Sequence, residues 1–196
     1  MPEYSGAFAD RGPLVEAFEE LRRLLSSCPA WQQWRGVQDD ASPAAASAEG
    51  VHLIALPPPT GRDIATGDGA YTRAHLESLR PFALIDYPPP EMEDDESFVG
   101  TRHASGYFVH RGRLNLAFDA DVPAELRGDL QGAKLDFIRK VGAVIRDLED
   151  RADTDDFLSV LSLRMWAPPL ASDELGAASM GEFFKAEYLV DYGVRG

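Results

Sequence analysis

The sequence predicts an α+β domain: a mixed, mostly antiparallel sheet, with an N-terminal helix and a long helix after a β-hairpin packed on it. Two observations predict the helices: apolar residues recur at helical spacing near the N-terminus and again in the second half of the chain. A third predicts the strands, because short apolar runs end in prolines or glycines. The predicted order is α, β, β, hairpin, α, β, β, which corresponds to helices packed on a sheet.

The first predicted helix covers residues 13–28. Pro13 suits its first turn, where the missing N–H is harmless, and Pro29 ends it. Trp31 and Trp34 follow on a predicted short turn, where they pack the end of the helix onto the domain. The apolar face of the helix has residues at i, i+4, i+7 and i+11, namely Leu14, Phe18, Leu21 and Leu25.

Two short strands and three irregular segments are predicted next. The apolar run at 51–56 reads as a strand, and the run at 81–87 suits a strand covered on both faces. Residues 60–79 are polar and are predicted as loop with a short helix at their end. We expect residues 1–196 to form a single domain. Its flexible or partner-ordered segments are predicted near 38–50, 60–79 and 88–100.

A hairpin and a long helix follow. Alternation from His103 to His110 predicts a strand, Arg111-Gly112 the turn, and 114–118 the returning strand. The next helix is predicted from Asp121 to about Asp150, firm from near Asp129 because Gly128 and Gly132 weaken its first turns. Its broad apolar stripe comprises Phe137, Val141, Val144 and Leu148, joined by Leu130, Leu135, Ile138 and Ile145.

Two final strands are predicted at 157–166, ended by Pro168-Pro169, and at 184–192, close to the C-terminus.

Composition limits the function classes. The net charge is −14, from 33 acidic and 19 basic residues, so the chain repels polyphosphate and we expect no specific grip on nucleic acid. Acidic walls do suit a passage through which DNA slides, because lysine–phosphate contacts would act as brakes. We expect neither a secretory signal nor a membrane span, and the lone Cys28 fits a reducing cytoplasm.

No motif specifies chemistry. Nucleotide-binding loops, hydrolase elbows, zinc-protease helices and cysteine pairs at metal spacing are all missing from the sequence. The sequence marks no base that would activate Cys28. The acidic groups at 91–96 and 147–156 lack calcium-loop spacing and are interpreted as solvated loops. We therefore expect no catalytic residue, no cofactor and no metal, and the function to be assembly rather than catalysis.

Four stretches resemble phage tail terminator (tail completion) proteins and related siphovirus neck proteins. They are the region 28–37 after the opening helix, the strand 80–85, the strand 112–118 that leads into the long helix, and the closing strand 182–193 with its aromatic-x-Tyr-Gly ending. The resemblance implies an α+β structural virion protein that forms a homo-hexameric ring on the last tail-tube ring. It stops tube growth and offers a surface to the head connector or stopper.

The resemblance implies a location in the virion tail or neck, after assembly in the host cytoplasm. Its partners would be other copies, the tail-tube protein and the connector, with DNA crossing the lumen without specific binding and with no membrane. The candidate ring-interface or lumen residues are Glu91, Glu93, Asp94, Asp95, Glu96, Tyr107, Arg111 and Arg113. If the hairpin 104–118 or the acidic loop 91–96 forms the interface, its truncation should abolish rings and leave a folded monomer.

Three alternatives stay open. A head–tail stopper or another tail-tube component would share the same patterns. A small intracellular enzyme or ligand-binding domain would have a pocket near 60–79 and would be a monomer or dimer. An acidic mimic of DNA would need carboxylates spaced like phosphates along one face, whereas the acids here lie in separate clusters.

Overall fold

The computed structural model describes residues 12–54, 77–87, 110–171 and 183–194, which form a sheet with helices on one face. The helices are α1 (Gly12–Ser27), α2 (Pro29–Arg35), α3 (Pro43–Ala48) and α4 (Leu130–Thr154). A 3-10 turn at Ala124–Leu126 precedes α4. The strands are β1 (Val51–Leu53), β2 (Phe82–Asp86), β3 (His110–Asp121), β4 (Leu158–Ala171) and β5 (Phe183–Val194).

The five-stranded sheet has the order β1-β2-β3-β5-β4. Strands β1 and β2 are parallel, and all other neighbours are antiparallel. The longest regular pairing joins β3 to β5, from His110 opposite Val194 to Asp121 opposite Phe183. The predicted α+β class, with a mixed and mostly antiparallel sheet, is confirmed.

The core lies between the helices and one face of the sheet. Side chains alternate along a strand, so every second residue of β3 and β5 meets the helices. The sheet contributes Leu114, Leu116, Phe118, Phe184, Ala186, Val190 and Tyr192 to this layer. The helices contribute Phe18, Leu21, Leu25, Phe137, Val141, Val144 and Leu148. The predicted strand at 81–87 is confirmed as β2, with Phe82 buried on one face and Ala83 and Ile85 on the other.

The region after Pro29 is a helix, not the predicted short turn. Cys28 is extended, with φ −68° and ψ 122°, so α1 ends there and Pro29 starts α2 in the first-turn position that proline tolerates. Trp31 is fully buried, and its Nε1 donates a hydrogen bond to the carbonyl of Ser47 (3.2 Å). The two tryptophans do pack the end of α1 onto the domain, as expected.

Residues 38–50, predicted as a flexible connection, contain helix α3. Pro43 occupies its first turn, and small side chains let it lie close to α1. Ser47 is buried, and its Oγ donates to the carbonyl of Ser26 (2.5 Å). Arg22 of α1 donates to the carbonyl of Ala48 (3.1 Å). Alanine and serine are typical of connections, but here these tertiary bonds favour the helix.

The predicted turn at Arg111-Gly112 is wrong, because β3 continues through both residues. Gly112 lies opposite Tyr192, and a Cβ at this position would lie 2.5 Å from Tyr192 Oη and 2.7 Å from its Cζ. The glycine therefore makes room for an aromatic ring instead of turning the chain. The predicted strand before it, residues 103–109, lies outside the described residues.

Helix α4 begins as predicted near Asp129, whose Oδ1 accepts a hydrogen bond from the N–H of Gly132 (2.9 Å). The predicted broad apolar stripe is wrong in its width. Four of its members are buried, but others remain exposed: Leu130 (48%), Leu135 (67%) and Ile138 (39%). The sheet covers only one side of the helix, so apolar residues on its flank stay at the surface.

Strand β4 extends beyond the predicted stop at Pro168-Pro169 to Ala171. It is an edge strand of the sheet, where a missing N–H need not break the pairing with β5. Its register with β5 shifts at three places, after Val160, after Met165 and between Ala167 and Leu170. The residues of the predicted 60–79 loop are described only at 77–79, which are helical.

We predict opposite effects for two glycine substitutions. Gly112→Ala should lower the free energy of unfolding by about 1–3 kcal/mol, because the added methyl overlaps the Tyr192 ring. Gly142→Ala should raise it by about 1 kcal/mol, because Gly142 is exposed within α4 with nothing within 4 Å of a new Cβ. Urea denaturation of both variants tests this, and a neutral Gly112→Ala would contradict the packing role.

Candidate assembly surfaces

The sequence-predicted site residues divide into two groups. Glu91, Glu93, Asp94, Asp95, Glu96 and Tyr107 lie outside the described residues. Arg111 and Arg113 lie in β3, on the face of the sheet opposite to the helices, since Leu114 and Leu116 face the helices. Arg111 is half-buried and Arg113 is buried.

Arg113 is taken up by an ion pair inside the subunit. Its Nε donates to Asp191 Oδ1 (2.7 Å), and the two side chains are 6% and 2% exposed. Ser162 Oγ donates to the other carboxylate oxygen of Asp191 (2.9 Å), and Arg164 Nη2 also donates to it (3.4 Å). The cluster ties β3, β5 and β4 together, and it leaves little of Arg113 for a neighbouring copy to touch.

A second charged cluster on the same face centres on Arg80. Its Nε bonds to Asp119, its Nη1 donates to Asp121 Oδ1 (3.0 Å), and its guanidinium lies 4.0 Å from the centre of the Phe183 ring. Burial raises the pKa of Asp119 to about 6, although the charge and hydrogen bond of Arg80 oppose the shift. The sequence signal for this cluster was two aspartates spaced by two in one strand, which puts both on one face.

Three exposed apolar side chains lie on α4 and β4, namely Leu135, Ile138 and Met165, and we call them the β4 patch. Met165 is 46% exposed and lies opposite Tyr188, whose ring packs edge-on against Phe118 in the core, so Met165 is on the helix side of the sheet.

Ile138 lies on the flank of α4 that faces away from α2, whereas Leu135 lies on the solvent-facing side of the helix, next to Arg139. The other flank of α4 packs beside α2, whose Trp34 stacks on Phe118 of β3. Since α4 packs on β4, Ile138 and Met165 are both exposed on the helix side of this part of the sheet.

A second apolar surface, the β1 patch, lies at the opposite edge of the sheet and consists of Ile54 and Tyr87. They follow the parallel strands β1 and β2, so they come together at one end of that edge. Ile54 is 47% exposed and Tyr87 49%. The Tyr87 ring packs edge-on against Phe18 of α1, with centroids 5.5 Å apart, which fixes its position.

Ile54 has a left-handed backbone, with φ 65°. A β-branched side chain disfavours this conformation, at a cost of about 1–2 kcal/mol. The N–H of Ile54 donates to the carbonyl of Ile85 (2.7 Å), which holds the residue beside β2. The strained backbone thus belongs to an apolar residue that is half exposed beside the β1 edge.

The described part of the chain offers little chemistry. Within it, no group of three or more His, Cys, Asp or Glu side chains could hold a metal ion. Cys28 is buried, and burial raises the pKa of its thiol to about 12, so it is not a reactive thiolate at neutral pH. No helix within the described ranges has the length and apolar character needed to cross a membrane.

Comparison with known proteins yields no match: no family model, no curated protein and no solved structure matches the chain.

We predict that Asp119 makes stability depend on pH. Its pKa in the folded state, about 6, lies above the usual aspartate value of 3.8, so protonation of Asp119 favours the folded state. This contribution is complete below pH 4 and is lost as the pH rises through 6. Relative to Asp119→Asn, the wild type should lose about 2 kcal/mol of unfolding free energy between pH 4 and pH 7. Urea titrations of both proteins across this range would contradict the assignment if the two curves ran parallel.

Proposed function

We propose that this protein is a structural subunit that assembles with copies of itself into a closed ring, like the phage tail terminator and neck proteins that its sequence resembles. The observation that carries the proposal is the placement of the β4 patch and the β1 patch at opposite edges of one sheet. The sheet has four strand spacings between these edges, about 19 Å. The subunit thus has exposed apolar side chains near two separate edges of the sheet.

Two different surfaces on opposite sides favour head-to-tail contact. A two-fold dimer would join a patch to its own copy and leave the second patch exposed in every dimer. A head-to-tail contact joins the β4 patch of one copy to the β1 patch of the next and covers both. Such contacts close into a ring when the rotation between subunits divides a full turn.

Side chains, rather than a continuous strand pairing, should dominate this contact. Strand β4 is an edge strand of 14 residues, but its register shifts and its Pro168-Pro169 pair interrupt the edge. Bulges and prolines in an edge strand hinder its pairing with the edge strands of other molecules. Only the short regular stretches 158–160 and 162–165 of β4 could pair with a neighbour's strand, so the exposed side chains carry the specificity.

The charge of the chain suits the proposed role. Each subunit has a net charge of −14, so a ring of subunits would present many carboxylates and DNA could cross its lumen without being held. In this proposal the faces of the ring contact the tail-tube protein and the head connector or stopper, and the protein works in the tail or neck without a cofactor. Strand β3 is central to the sheet, so we expect that removal of residues 104–118 would unfold the subunit. Loss of rings in that variant would therefore not identify an interface.

The runner-up is a small enzyme or ligand-binding domain with a pocket near 60–79. Apart from 77–79 these residues lie outside the described ranges. The two proposals differ in the mass expected in solution, which rises with concentration for the ring subunit and stays that of a monomer or dimer for the alternative.

Leu135→Glu should weaken assembly, because Leu135 is the most exposed member of the β4 patch. The contact between copies would bury the new carboxylate without a partner. Leu130→Glu is the matched control, since Leu130 lies about 140° away around α4. Sedimentation velocity over a range of concentrations should show a wild type and a Leu130→Glu protein that associate, and a Leu135→Glu protein that stays monomeric. A wild type that remains monomeric throughout, or a Leu135→Glu protein that associates equally well, would contradict the proposal.

Ile54→Gly should separate assembly from stability. Glycine relieves a backbone strain of about 1–2 kcal/mol, which offsets the lost apolar contact and the added chain freedom. We expect the free energy of unfolding to change by less than about 1 kcal/mol, while association weakens because the β1 patch loses its main side chain. Parallel denaturation and sedimentation experiments test this, and undiminished association would exclude Ile54 from the contact.

A further inference from the structure

The face of the sheet opposite to the helices, which we call the far face, is buried almost as completely as the face that forms the core. Along β5, every residue except Lys185 and Glu187 is buried, on both faces of the strand. Near the middle of the far face, Leu189 is 3% exposed and its cross-strand partner Asn115 is 8% exposed. Four apolar side chains are buried there outside the core under the helices, namely Phe82, Ala117, Phe183 and Leu189.

The described helices do not account for this burial. Helices α1, α2 and α4 contribute side chains to the core on the other face, and α3 packs against α1 and α2. An antiparallel sheet with helices on one face commonly exposes polar side chains on the other, yet Arg113 and Asp191 are also buried here. The burial belongs to a single subunit, so residues of the same chain must cover the far face.

The connection from β1 to β2 is a crossover between parallel strands. Parallel neighbours need a crossover of about a dozen residues or more, and residues 55–81 join these two strands. Strands β3 and β4 are also parallel, since each is antiparallel to β5 between them, and their crossover contains α4. Crossovers between parallel strands of one sheet are right-handed in about 98% of cases.

The two crossovers lie on opposite faces of the sheet if both are right-handed. Both step in the same direction along the strand order, from β1 to β2 and from β3 to β4. The strands β1 and β2, however, point opposite to β3 and β4, because β2 is antiparallel to β3. Reversing the strand direction while keeping the step moves a right-handed crossover to the other face. Since α4 lies on the core face, the crossover from β1 to β2 belongs on the far face.

The described end of this crossover supports the assignment. Arg80 lies two residues before β2, and its side chain is only 1% exposed. Its guanidinium bonds to Asp119 and Asp121 and packs on the ring of Phe183, all on the far face. From the helix side, Arg35 of α2 donates to the carbonyl of the next residue (2.8 Å). The backbone therefore passes the end of the sheet here, and the Arg80 side chain is already on the far face.

Two other connections have no such requirement. Residues 88–109 join β2 to β3 and residues 172–182 join β4 to β5, and both pairs are antiparallel neighbours. Antiparallel neighbours can be joined at one end of the sheet by as few as about two residues. The topology therefore directs only the crossover from β1 to β2 to the far face.

We propose that the segment 55–76 covers the far face of the sheet and makes it a second buried layer. The polar composition of the segment suits this position, because the far face combines apolar side chains with the Arg113–Asp191 and Arg80–Asp119 ion pairs. The far face is then closed to other molecules, and partners meet the subunit at the edges of the sheet or at its helices. The inference does not depend on ring formation.

A nitroxide spin label at Thr66→Cys, in the middle of the segment, tests this placement in the full chain with ¹³C-labelled methyl groups. The native Cys28 is buried and should stay unlabelled, which the wild type treated in the same way will show. The methyl resonances of Leu84 and Leu189 on the far face should lose most of their intensity, and those of Leu135 on the outer side of α4 should lose little. Reduction of the nitroxide by ascorbate should restore every resonance, which shows that the labelled protein is folded.

Two further labels are controls. A label at Gly142→Cys, two turns along α4 from Leu135, should give the reverse pattern, with intensity lost at Leu135 and retained on the far face. A label at Asp68→Cys repeats the test at a second position of the segment, in case the Thr66→Cys protein does not fold.

Three results would overturn the inference. One is a Thr66→Cys label that broadens Leu135 more than Leu189, because the crossover would then lie over the helices. Another is the absence of far-face broadening with this label, whether or not a label at Glu93→Cys in the segment 88–109 produces it. The third is far-face broadening when spin-labelled protein without ¹³C is mixed with unlabelled ¹³C protein, because a second copy would then cover the face.

Discussion

The antiparallel pairing of β3 with β5 is the constraint on which the rest of the structure depends. It runs from His110 opposite Val194 to Asp121 opposite Phe183, and both faces of the pair are used. One face supplies the core under α1 and α4. The other carries the Arg113–Asp191 and Arg80–Asp119 ion pairs, which would cost free energy if either partner were removed.

The register of this pair explains features that look unrelated in the sequence. A slip by one residue would exchange the apolar and charged faces, burying Arg113 among the helices. The contact of Gly112 with the Tyr192 ring also exists only in this register. The central pair therefore fixes which edges remain for β1 and β4, and so where the two apolar patches lie.

Local pattern predicted much of this fold. Period-3.6 apolar residues located α1 and the buried stripe of α4, and compact apolar runs located β2 and β5. The failures have a shared cause, which is that tertiary contacts overrode local preference. Gly112 has the composition of a turn but is in a central strand because a ring needs the space, and Pro168-Pro169 would end an internal strand but not one at the edge.

The candidate surfaces were less predictable. Leu135 and Ile138 were predicted as part of the apolar stripe of α4, but the buried side of the helix follows Phe137, Val141 and Val144, and both residues are exposed. Trp34 was predicted to pack the end of α1 onto the domain, and it does pack on Phe118. A cavity beside it could not be predicted, because it depends on how closely α2 approaches α4. Arg113 was predicted as an interface or lumen residue of a hairpin, and its pairing with Asp191, 78 residues away, could not be predicted from the local pattern.

We propose that two opposite edges of the subunit bind each other in neighbouring copies. That geometry can be tested by cysteine cross-linking, because the thiol pKa of the buried native Cys28 is raised to about 12 and this residue should not react. One protein would carry Ile54→Cys and another Leu135→Cys, each treated alone and then as a mixture with a short bismaleimide. The account predicts covalent dimers in the mixture only, and a ladder that ends at one closed size when a single chain carries both substitutions. Efficient cross-linking of Leu135→Cys to itself, with none in the mixture, would contradict head-to-tail assembly.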